Sequence, residues 1–136
     1  MTTTVTPYLM VHSAKQFADF VGHVFGGTTQ TLIPLDGDPE RVVHGVVRIG
    51  SSTFYFADAR IDGAQCLPPY RQGEDPSRTQ LYVSLPDPAK AHAAALEKGA
   101  TPVMELTEQE GGAAMGGWVD PFGTLWWVTS DPAQPA

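Results

Sequence analysis

The chain has 136 residues, and 8 Lys+Arg against 15 Asp+Glu leave a formal net charge of −7. That length suits one compact domain or two small fused halves, 42% hydrophobic residues are enough for a packed core, and the acidic balance argues against nucleic acid and anionic membrane surfaces as partners. The lone cysteine, Cys66, excludes an internal disulfide framework and any zinc site built on several thiolates.

Val5 to Val11 reads as a strand whose first half, at Pro7, lies at an edge or a strand start. Ser13 is a good N-cap. Behind it Ala14, Phe17, Phe20, Val21, Val24 and Phe25 recur at helical spacing until Gly26-Gly27 ends the run. Thr28 to Pro34 reads as a strand, Asp36-Gly37-Asp38-Pro39 as a turn, and Val42 to Ile49 as a strand. Gly50-Ser51-Ser52 is taken as a hairpin turn into a returning strand from Thr53 to Asp58. Residues 60–78 show little periodicity and read as a connection between two modules.

The second half repeats this order. Gln80 to Leu85 is a strand, Asp87 an N-cap with Pro88 at the first helical position, and Ala89 to Lys98 a helix closed by Gly99. Thr101 to Leu106 is a strand. Gly111-Gly112 and Gly116-Gly117 mark a mobile connection, Trp118 to Asp120 a short strand, and Leu125 to Ser130 the last one. An internal repeat of about 74 residues follows. It divides residues 1–136, read as one domain, into module one at about 4–59 and module two at about 79–130, with a tail at 131–136.

Three stretches carry a resemblance to a known family. They are Thr6-Pro7-Tyr8-Leu9-Met10-Val11 with its following helix, His44-Gly45-Val46-Val47-Arg48-Ile49-Gly50 through Phe56-Ala57-Asp58-Ala59, and Val119-Asp120-Pro121-Phe122-Gly123-Thr124-Leu125-Trp126. In their order they resemble the vicinal oxygen chelate superfamily, which includes glyoxalases, bleomycin-resistance proteins and extradiol dioxygenases. The second stretch looks most like the PhnB-like branch. The resemblance implies an α+β fold of two βαβββ modules whose curved sheets form a cup, with helices outside and the ligand or metal inside. It also implies a homodimer. With no basic or apolar leader in Met1 to Thr6, the cytoplasm is the expected compartment.

Metal-dependent members of that family draw one His, Gln or Glu from each of four strands. Carried onto this chain, the four positions are Thr6, Phe56, Gln80 and Trp127. Only Gln80 has a useful donor, so metal-dependent glyoxalase I chemistry is not expected. Alignment and strand parity together then place Phe54, Phe56 and Asp58 on the cup face. His44, Val46 and Arg48 join them from the preceding strand. With a three-residue hairpin loop, His44 would face Asp58; a two-residue loop would break that pairing. The pair could be a base with its orienting carboxylate, two ligands of an atypical divalent-metal site with Gln80 as a third, or two groups that merely satisfy each other.

Parity also places Thr6, Tyr8, Tyr82 and Trp127 inside the cup, with Trp118 near its mouth. The expected ligand-binding set is Thr6, Tyr8, His44, Phe54, Phe56, Asp58, Gln80, Tyr82, Trp118 and Trp127. Apolar walls with few orienting polar groups suit a small planar molecule, neutral or cationic, held without a metal or other cofactor. Two alternatives stand beside this reading. One is a lyase, isomerase or dioxygenase-type enzyme working through His44, Asp58 and Gln80. The other is an interaction module whose function is the dimer itself.

Overall fold

The computed structural model describes residues 2–59, 69–109 and 111–130. The chain divides into two compact units, Met1–Pro69 and Tyr70–Ala136.

The first unit runs β1 (Tyr8–Val11), α1 (Ala14–Phe25), β2 (Thr28–Leu35), β3 (Asp38–Ile49) and β4 (Ser52–Asp58). Its sheet has the order β1-β4-β3-β2, with β1 parallel to β4 and the hairpin pairs antiparallel. Ser13 caps α1, its hydroxyl accepting from Gln16 N at 3.3 Å. Gly26 closes the helix in the left-handed conformation (φ +67°), and its N–H donates to the Gly22 carbonyl at 3.0 Å. The buried stripe is Ala14, Phe17, Phe20, Val21 and Val24, the helical spacing expected from the sequence. It packs on one face of the sheet, where Phe17 meets Phe56 at 5.1 Å between ring centroids.

The second unit repeats the plan: β5 (Leu81–Ser84), α2 (Pro88–Glu97), β6 (Thr101–Glu108), β7 (Ala114–Val119) and β8 (Leu125–Thr129), in the sheet order β5-β8-β7-β6. Asp87 caps α2 by accepting from Lys90 N at 3.1 Å, and Pro88 occupies the first helical turn. The α+β class and the doubled βαβββ order are as the sequence indicates.

Four local expectations differ. β1 begins at Tyr8 rather than Val5; Pro7 has no N–H for a ladder, though its carbonyl accepts from Tyr55 N at 2.9 Å. The turn before β3 is Asp36-Gly37 alone, so β3 reaches back to Asp38. Ile49 pairs with Ser52, so the β3–β4 loop is the two residues Gly50-Ser51, with Gly50 at φ +59°. Gly116 and Gly117 are not part of a mobile connection. They lie inside β7 because neighbours press on them: a Cβ on Gly116 would sit 2.8 Å from His92 Nδ1, and one on Gly117 2.5 Å from the Trp127 ring. Cys66 lies outside the described residues.

Candidate functional site

In each unit the helix covers one sheet face, and the chemistry-bearing side chains sort by face. On the helix-free face of the first unit, Tyr8 and Tyr55 are register partners on β1 and β4. His44 of β3 completes a cluster of three rings. Tyr8 to His44 is 6.0 Å, Tyr8 to Tyr55 is 6.2 Å and His44 to Tyr55 is 4.9 Å between centroids, all edge-on. Tyr8 is 47% exposed, so the cluster opens to solvent. Thr6 is half-buried just ahead of β1.

The repeat places a similar group on the second unit. Tyr82 of β5 is the register partner of Trp127 on β8, and Tyr82 is 55% exposed. The Trp127 ring packs against Gly117. Its Nε1 donates to Gln80 Oε1 at 2.9 Å.

Four of the expected ligand-binding residues lie elsewhere, and the reason is strand parity. Phe56 is fully buried against Phe17 on the helix side, and Phe54 shares that face two residues earlier. Gly45 beside Phe56 makes room for it, since a Cβ there would come within 2.5 Å of the Phe56 ring. Trp118 is not at a mouth. It is fully buried, opposite Trp126 in register and stacked on it at 5.9 Å and 27°. Tyr55, not Phe56, is the β4 side chain on the helix-free face. Tyr8 and Tyr82 correspond in the repeat, but that Tyr55 and Trp127 are their respective partners shows only in the strand register.

Asp58 and His44 are not brought together. The two-residue loop sets Gly45 beside Phe56, and Asp58 turns to the helix side. There it is 3% exposed; Oδ1 accepts from Ala14 N at 3.1 Å and Oδ2 from Val42 N at 2.7 Å. Both oxygens are committed to backbone amides, which ties the start of α1 to β3. In the second unit Ser130 Oγ accepts from Ala114 N at 3.0 Å in the corresponding place.

A second buried carboxylate organises the turn before β8. Asp120 Oδ1 accepts from Phe122 N at 2.8 Å and Thr124 N at 2.9 Å, and Oδ2 from Trp126 Nε1 at 2.7 Å. Burial pushes this carboxyl above the ordinary aspartate range, against the opposing pull of its N–H donors. The Asp-Pro-Phe-Gly stretch that carries part of the family resemblance is therefore a structural turn. His92 is buried on α2 with neither ring nitrogen hydrogen-bonded, and Nε2 lies 3.9 Å from the exposed Glu105 carboxylate.

The metal positions of the fold family do not fit a cation here. Among the described residues no three His, Cys, Asp or Glu side chains are grouped to hold a metal ion. Gln80, the one plausible donor, has its oxygen bonded to the Trp127 N–H. Tyr55 and Trp127 offer a phenol and an indole, poor ligands for a hard or borderline cation.

No family model matches the chain. An uncharacterised protein of Mycobacterium bovis is 27% identical over 124 residues, covering 90% of this chain and 79% of that one. Among solved structures, the PhnB protein of Bacillus cereus superposes with a TM-score of 0.68 at 14% identity, covering 93% of this chain and 98% of its own. The fosfomycin resistance protein FosX of Listeria monocytogenes, complexed with Mn(II) and sulfate, superposes at 0.69 with 6% identity, covering 98% and 96%. This chain has the vicinal oxygen chelate fold. At these identities the likeness carries the fold, and function has to be argued from the site. Within a vicinal oxygen chelate fold, the Tyr8–Tyr55–His44 and Tyr82–Trp127 groups of this chain stand on the sheet faces that the helices leave free. No helix among the described residues is long and apolar enough to cross a membrane.

Proposed function

We propose that this chain binds a small planar molecule, neutral or cationic, on its helix-free sheet faces and without a metal. The observation that carries the reading is the doubled aromatic group: Tyr8, Tyr55 and His44 on one unit, Tyr82, Trp127 and Gln80 on the other. Ring faces attract flat rings and cations, each cation contact contributing about 0.5–2 kcal/mol. The net charge of −7 raises the local concentration of a cation and repels anions. As the family resemblance implies, the protein acts as a homodimer. An enzyme using His44, Asp58 and Gln80 has less support, because the Asp58 oxygens bind amides on the opposite side of the sheet from His44.

Tryptophan fluorescence tests the reading. Trp118 and Trp126 are buried in the helix-side core, whereas Trp127 stands beside the exposed Tyr82. Titration with 1-methylquinolinium should give a saturable quench that Trp127→Phe largely removes. A change that stays linear in ligand, in wild type and variant alike, would defeat the proposal.

A further inference from the structure

Trp127 does more than offer a ring. Its indole N–H can only donate, so the Gln80 side-chain group bonded to it at 2.9 Å must be the carbonyl oxygen. That fixes the amide. The two N–H donors of Gln80 are turned away from Trp127, and Gln80 is exposed just ahead of β5, two residues before Tyr82. The second unit therefore carries an aromatic floor of Tyr82 and Trp127 with an oriented pair of donors at its edge. The Trp127 ring packs against Gly117, where a Cβ would come within 2.5 Å of it, so the group that orients the amide is itself held in place.

We infer that Gln80 is a specificity-determining residue, and that its site takes a planar ring compound bearing an acceptor oxygen at the ring edge, such as a ring carbonyl. The inference rests on the proposed binding of planar molecules and names their chemical class. The ring lies on Tyr82 and Trp127, and its edge oxygen accepts from the Gln80 amide. A carboxylate-bearing ring satisfies the same donors but is opposed by the acidic charge of the chain. A ring carbonyl has the acceptor without that cost.

Two probes of the same shape separate the possibilities. 1-Methyl-2-quinolone is neutral and carries the ring-edge oxygen; 1-methylquinolinium is cationic and lacks it. Gln80→Glu is the decisive variant, because a carboxylate still accepts from Trp127 Nε1 but has no donor to give. The position is exposed, so folding should be unaffected, and a thermal melt checks this. Expected is tighter binding of the quinolone by wild type, a loss of about tenfold for the quinolone in Gln80→Glu, and unchanged or tighter binding of the quinolinium. Trp127→Phe, followed by calorimetry, should also lessen the quinolone preference, since the amide is no longer held. If Gln80→Glu leaves the ratio of the two affinities unchanged, the inference is overturned while the binding reading survives. The same holds if only the quinolinium binds. If neither probe binds, both fail.

Discussion

Asp120→Ala should lower stability at neutral pH by about 3–5 kcal/mol, read as a fall of about 10–20 °C in the thermal midpoint. Three donors converge on this carboxylate: the amides of Phe122 and Thr124 and the indole of the fully buried Trp126. The methyl group of alanine reaches none of them. Each donor would be left dry, or the turn would have to open to let water in, and opening it would unstack Trp126 from Trp118. Asp120→Asn separates the charge from the shape. Its one oxygen can serve either the two amides or the indole, so the remaining side meets an N–H with an N–H, at a cost of about 2 kcal/mol.

The same residue predicts a pH dependence of definite sign. Burial raises the folded-state pKa of Asp120 above its unfolded value. The folded protein therefore keeps this proton to higher pH than the unfolded chain does. The contribution of the group is fully present below the unfolded pKa and is lost as pH rises through the folded one. Urea denaturation across the acid range should show the deficit of Asp120→Asn narrowing as pH rises toward neutrality. A deficit that widens instead would mean that the carboxylate is held ionised.

The fold was legible because its signals are local and redundant. Ser13, Gly26, Asp87 and Pro88 bracket the helices, and the phenylalanine and valine spacing of α1 names its buried stripe. Strand faces were legible only where hydropathy alternates. On β3, Val47 and Ile49 contrast with His44 and Arg48, and His44 is on the helix-free face as expected. On β4, Phe54, Tyr55 and Phe56 are aromatic on both faces, so hydropathy does not set the parity. Placing Phe56 at a metal position of the family then reversed the faces of the whole strand, Asp58 included. The same ambiguity in Trp126-Trp127 happened to fall the other way. The glycines of β7 misled because a flexible loop and a close side-chain approach write the same letters.

The two units also solve one problem in two ways, which gives the second large expected effect. Asp58 accepts from two amides, at Ala14 and Val42, whereas Ser130 accepts from the single amide of Ala114; both the Val42 bond and the Ala114 bond span 16 residues. The difference follows from the first helical residue. α1 begins with Ala14, whose N–H needs a partner; α2 begins with Pro88, which has none to satisfy. Asp58→Ser should therefore cost about 2–3 kcal/mol, because one hydroxyl cannot replace two carboxylate oxygens and a buried donor is orphaned. Ala14→Pro alone should cost about as much, because the ring carbon that replaces the N–H would be driven onto Asp58 Oδ1, 3.1 Å from the nitrogen. The backbone itself accepts proline there, since Ser13 is already extended at φ −152° and ψ 107°. Joined in one chain, the two changes rebuild the arrangement of the second unit, and the double variant should lose less stability than the two single losses summed. A double-mutant cycle in urea should give a favourable coupling of about 2 kcal/mol. Additive losses would show that Asp58 holds β3 alone and that the start of α1 does not depend on it.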